Sequence, residues 1–127
     1  MTETPLIKKL RILPDQKILI LHAPQGYLES LGEFPPGIEA DTQVKDTYDL
    51  VQVFFTQSAA LEDEIDGLKA VLKDTGILWL CYPKQRAGQE TDLNRDILRT
   101  KMTPFGLKAV SLVSVDSTWS AMRFKRV

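Results

Sequence analysis

Apolar and polar positions alternate along this chain in two rhythms, and each rhythm predicts a kind of element. The runs "KILILHA" at residues 17–23, "DLVQVFFT" at 49–56 and "ILWLCY" at 77–82 have no polar face, so each predicts a strand covered on both sides. Between the second and third runs, Leu61, Ile65, Leu68 and Leu72 recur at spacings of four, three and four, which predicts a helix over residues 58–76. Ser58 is placed to cap that helix, Glu62, Asp63 and Glu64 stand near its positive end, Lys69 and Lys73 stand near its negative end, and Gly76 is expected to close it.

The remaining elements are shorter. "PLIKKLRI" opens with Pro5 and sets Leu6, Ile7 and Leu10 against Lys8, Lys9 and Arg11, as in a short amphipathic helix. After the turn "PQG", Tyr27–Leu31 reads as a brief helix broken by "GEFPPG". "IEADTQV" alternates enough to form a more exposed strand. Thr91 can cap a helix reaching Lys101, with Leu93, Ile97 and Leu98 inward, and Pro104 and Gly106 end it. "LKAVSLVSV" and "SAMRFKRV" then form two strands joined by the short turn "DSTW".

Strands alternating with helices, followed by a hairpin, predict a three-layer α/β architecture. The expected core is an open, mostly parallel, Rossmann-like sheet of about six strands with a C-terminal antiparallel hairpin strand. A length of 127 residues without a repeat or linker suits one domain over residues 1–127.

Composition narrows the functional classes. A formal charge of -1 gives no long-range field for collecting nucleic acid, so nucleic acid is not expected as a partner. The chain has one cysteine, Cys81, and one histidine, His22, which excludes an internal disulfide and the usual zinc sites, and no metal is expected. No run of about 18 apolar residues occurs, so a cytoplasmic protein without a membrane partner is expected. Cys81 lies in an apolar run, where burial would keep its thiol protonated and unreactive.

The element order resembles the S-adenosylmethionine-dependent methyltransferase fold in shortened form. "LPDQKILIL" is similar to the segment entering that fold's first strand, "YDLVQVFF" to its central strand, and "LKAVLKDTGILWLCYPK" to the helix, turn and strand that follow. A second resemblance, carried by "TPLIKKL", "HAPQGY", "YPK" followed by "TDLN", and "VDSTWSAMRF", is to a small bacterial family known only as a domain of unknown function. It implies no activity.

Methyltransferases of this fold end the first strand with an acidic residue and several glycines, because glycine lets backbone amides approach the cofactor closely. In "HAPQGY" the strand ends on His22, Pro24 removes a backbone donor, and Gly26 is the single glycine. An acid at the second strand would hold ribose hydroxyls, and only Glu39, Asp41 and Asp46 are near. S-adenosylmethionine is therefore a cofactor candidate without its usual motif, and the plainer expectation is a corner whose backbone angle needs Gly26. His22 is expected to serve as a hydrogen-bonded structural group, with acid–base chemistry as its alternative.

Two further segments carry candidate chemistry. Lys84 and Arg86 precede the helix beginning near Thr91, a combination able to hold phosphate or carboxylate, although Asp92 opposes it and a solvated loop is the plainer expectation. The turn from Asp116 to Trp119 should lie at the same sheet edge, beside Tyr82 and Lys84. Open α/β sheets bind ligands beyond the carboxyl ends of their strands where chain order reverses, so a candidate pocket collects His22, Pro24, Gly26, Thr56, Tyr82, Lys84 and Arg86. The leading functional expectation is a non-catalytic module on a methyltransferase-like fold, binding an unidentified small molecule or a protein. The alternatives are a divergent S-adenosylmethionine-dependent methyltransferase and a structural homodimer joined along a sheet edge.

Overall fold

The computed structural model describes residues 5–127, with the side chain of Arg86 outside the description. The six strands form one sheet in the order β2-β1-β3-β4-β6-β5. These are β1 Lys17–Leu21, β2 Glu39–Asp41, β3 Tyr48–Phe54, β4 Leu72–Pro83, β5 Leu107–Ser114 and β6 Trp119–Arg126. The β2–β1, β1–β3 and β3–β4 pairs are parallel, and β6 runs antiparallel to both β4 and β5. The expected sheet and closing hairpin are both present. The N-terminal helix is a single turn, α1 Leu6–Lys9, and the other helices are α2 Tyr27–Leu31, α3 Ser58–Val71 and α4 Arg95–Met102. None of these helices is long and apolar enough to cross a membrane.

Because β1, β3 and β4 are apolar on both faces, each contributes to two separate cores. Leu19, Val51, Val53, Leu78 and Leu80 face α3 and α4, meeting Leu61, Ile65, Leu68, Leu98 and Met102. Ile18, Ile20, Leu50, Phe54 and Trp79 face the other way, toward Leu10 after α1 and Tyr27 and Leu31 of α2. The indole of Trp79 donates to the Leu10 carbonyl at 2.9 Å and so fastens the N-terminal segment to the sheet. Gln52 is a fully buried polar residue in the central strand, and its amide is satisfied. It accepts from the Tyr27 hydroxyl at 2.9 Å and donates to the Cys81 sulfur at 3.4 Å. Cys81 is buried as expected, and desolvation pushes its thiol up to about 12.

Three boundaries differ from the sequence expectation. The long helix ends at Val71, and β4 begins at once with Leu72, so Gly76 and Lys73 are strand residues. Leu72 keeps the helical spacing because it is buried in the same core, yet it pairs with Tyr48 in the sheet. Residues 91–94 precede α4 instead of opening it. Asn94 is the N-cap, its side chain accepting from the Ile97 amide at 2.8 Å, and Thr91 instead accepts from the Leu93 amide at 3.0 Å. This start turns Ile97 outward and Met102 into the core.

The cap of α3 is the third difference. Gln57 occupies the N-cap position without a side-chain bond, and the helix is capped from a distance. One carboxylate oxygen of Asp92 accepts from the Ser58 amide and the other from the Ser58 hydroxyl, both at 2.7 Å. The Ser58 hydroxyl and then its amide hold the Asp92 carboxyl below the usual range. A depressed folded-state value adds stability above the unfolded value, about pH 4, that is lost as pH falls through the lower folded value. Asp92→Asn should therefore melt at a lower temperature than the parent at neutral pH, with the difference closing below about pH 4 in thermal scans. A difference that stays constant down to acid would contradict the charged cap.

Candidate functional site

At the end of β1 the backbone turns sharply. His22 adopts a left-handed conformation with φ 57, uncommon for a residue with a side chain, and Gly26 has φ 83 at the start of α2. The turn closes on itself, the Tyr27 amide donating to the Pro24 carbonyl at 3.0 Å and the Ser30 amide to the Gly26 carbonyl at 3.1 Å. The amides of Gln25 and Gly26 donate to no acceptor among the described residues.

This turn forms one wall of a groove of about 370 Å³ lined by His22, Pro24, Gly26, Leu28, Glu29 and Thr42. The far wall comes from Thr42, immediately after β2, and Glu29 projects from α2. A Cβ placed on Gly26 would meet nothing within 4 Å, so glycine there serves the backbone angle and leaves the groove open. The acids expected near the second strand are spoken for. Asp41 accepts from the Tyr48 hydroxyl at 2.6 Å, and Glu39 and Asp46 both pair with Lys17 at the opposite end of the strands. The acid that lines the groove is Glu29, three residues after Gly26, which together with Thr42 escaped the sequence reading. The helical register of Tyr27–Leu31 was the signal for Glu29, since buried Tyr27 and Leu31 leave it on the outer side.

His22 does not stand free in that groove. Its Nε2 lies 2.9 Å from one carboxylate oxygen of Glu64 on α3, and its ring meets Phe55 edge-on at 5.8 Å. The imidazole thus links the end of β1 to the middle of α3. Beside it, the Thr56 carbonyl accepts from the Thr91 hydroxyl and from the Asp92 amide at 3.3 Å. These bonds, with the Asp92 cap, fill the ground above β3.

The candidate residues are consequently not gathered into one pocket. His22, Pro24 and Gly26 line the groove beside β1, whereas Tyr82 and Lys84 line another beyond β4, and Thr56 lies between them as a backbone acceptor. Arg86 falls within the 3₁₀ turn Gln85–Ala87, and its side chain lies outside the described residues. The turn after β5 does lie next to Tyr82 and Lys84. Tyr82 pairs with Ser120, and the Lys84 ammonium donates to the Asp116 carbonyl at 2.6 Å.

No family model matches the chain, and no curated protein does. Solved structures do match. A methyltransferase from Aquifex aeolicus described as SAM dependent aligns with a TM-score of 0.65 at 13% identity, over 96% of this chain and 88% of that one. The fold is that of the S-adenosylmethionine-dependent methyltransferases. A complex of DhpI with SAH aligns with a TM-score of 0.63 at 12% identity, over 96% of this chain and 82% of that one. The fibrillarin pre-rRNA processing protein of Methanococcus jannaschii gives 0.64 at 15% identity, covering 98% and 70%.

The left-handed angle of Gly26 has a measurable consequence. Since nothing crowds its Cβ position, Gly26→Ala should cost only backbone strain, about 1 kcal/mol in urea unfolding, and Gly26→Val should cost more because its branched side chain tolerates that angle less well. Unchanged unfolding midpoints in both variants would contradict the turn geometry.

Proposed function

We propose that the chain is a divergent S-adenosylmethionine-dependent methyltransferase whose cofactor site is the groove between the His22–Gly26 turn and Thr42. We also place it in the uncharacterised bacterial family that its "HAPQGY" and "VDSTWSAMRF" segments resemble. The carrying observation is the position of a groove of about 370 Å³ at the carboxyl end of β1, beside the point where the sheet's chain order reverses. Open α/β sheets hold their ligands at that point, and the volume falls within the range of about 300–1,000 Å³ usual for small-molecule sites.

The donors present suit the cofactor's polar groups. The free amides of Gln25 and Gly26 can donate to a carboxylate, Glu29 can accept from ribose hydroxyls, and Leu28 offers apolar surface. When bound, the cofactor supplies an activated methyl group, and the chain's part is to hold and orient it. A second reading, a non-catalytic module for an adenosyl or other small ligand, is favoured by one feature. The imidazole that could serve as a base has its Nε2 engaged by Glu64 and meets Phe55 edge-on.

Calorimetric titration of the purified chain with S-adenosylmethionine and S-adenosylhomocysteine tests the proposal. Saturable binding in the micromolar range is expected, weakened at least about tenfold by Thr42→Trp, which fills the groove from an exposed position. A folded sample that takes up neither compound would overturn the cofactor site.

A further inference from the structure

A larger groove, of about 520 Å³, lies on the other side of β3. It runs between the first turn of α4 and the β5–β6 hairpin, with Tyr82, Lys84, Asn94, Arg95, Leu112 and Ser120 among its lining. An adjoining hollow along the same edge adds Arg99 and shares Arg95 and Leu112. The polar groups here are mostly donors. The Lys84 ammonium is held by neutral acceptors, the Ser114 hydroxyl and the Asp116 carbonyl, both at 2.6 Å. No carboxylate among the described residues lies within ion-pair distance of it. Asn94 uses its side-chain oxygen to cap α4, which leaves its amide nitrogen as donor.

Charge and shape point the same way. Among the described residues lining the two hollows, Lys84, Arg95 and Arg99 are accompanied by one carboxylate, Asp96, which is itself exposed and shared, 3.6 Å from Arg95 and 4.0 Å from Arg99. Tyr82 is 5% exposed, and burial raises its phenol more than the nearby guanidiniums of Arg95 and Arg99 lower it, so its hydroxyl keeps its proton near neutrality. Beside these donors Leu112 leaves 44% of its surface open, apolar area at the groove's edge. Burying that area while satisfying the cations needs a ligand with both an anionic head and an apolar body.

We propose that this groove binds a small organic anion, its phosphate or carboxylate head meeting Lys84, Arg95 and Asn94 and its apolar body lying on Leu112. The site is separate from the cofactor groove, and the inference stands whether or not that groove takes S-adenosylmethionine.

Amide NMR of the full chain, titrated separately with inorganic phosphate, phenyl phosphate and benzoate, reads the site directly. Saturable shifts are expected at Lys84, Asn94, Arg95, Leu112 and Ser120, with phenyl phosphate or benzoate binding at least about fivefold more tightly than inorganic phosphate. Comparison of phenyl phosphate with benzoate decides which head group the site prefers. Arg95→Gln, a change at an exposed side chain, should weaken that binding at least about fivefold, and Leu112→Asp should do the same by adding a like charge. Shifts that never saturate through the millimolar range, or equal binding by the parent and both variants, would overturn the site.

Discussion

The architecture depends on one constraint, the right-handedness of parallel crossovers applied to two strands that lead in opposite directions. The chain leaves β1 through α2 to reach β2 on one side, and leaves β3 through α3 to reach β4 on the other. With the same hand and opposite directions, α2 packs on one face of the sheet and α3 on the other, which is why the apolar residues divide into two cores. Between the diverging helices the carboxyl ends of β1 and β3 have nothing above them except what the loops supply.

What the loops supply is a bridge rather than a single open crevice. The His22–Glu64 pair, Phe55 edge-on to the imidazole, and the bonds that join Thr91 and Asp92 to Thr56 and Ser58 occupy the ground over β3. Open space is displaced to either side, toward β2 and toward the β5–β6 hairpin. The groove beside β1 has the place and volume of a cofactor site, and the one beside α4 has the donors and exposed apolar surface of an anion site. This arrangement provides two surfaces with different chemistry on one sheet edge.

Much of the fold was legible because its signals are local. The contiguous apolar runs marked β1, β3 and β4, and Gly26 and Gly32 bracketed α2 at Tyr27–Leu31. The end of α3 was not legible, since Leu72 satisfies the helical spacing and the strand pairing equally well and only the partner strand decides. The part played by Asp92 was not legible for a similar reason: it precedes one helix in sequence but caps another, bonding Ser58 34 residues away. The candidate pocket was assembled from strand ends that do share an edge, yet sequence carries no information about which loop side chains will bond across it. Glu64 closing on His22 divided the pocket, and no local pattern announces that pair.

A crystal structure of the chain grown with S-adenosylhomocysteine tests the account most directly. The account predicts the nucleoside between the His22–Gly26 turn and Thr42, near the Gln25 and Gly26 amides and Glu29, with the groove beside α4 left free of it. A nucleoside seated beside Tyr82 and Arg95, or an empty β1 groove at saturating ligand, would contradict it.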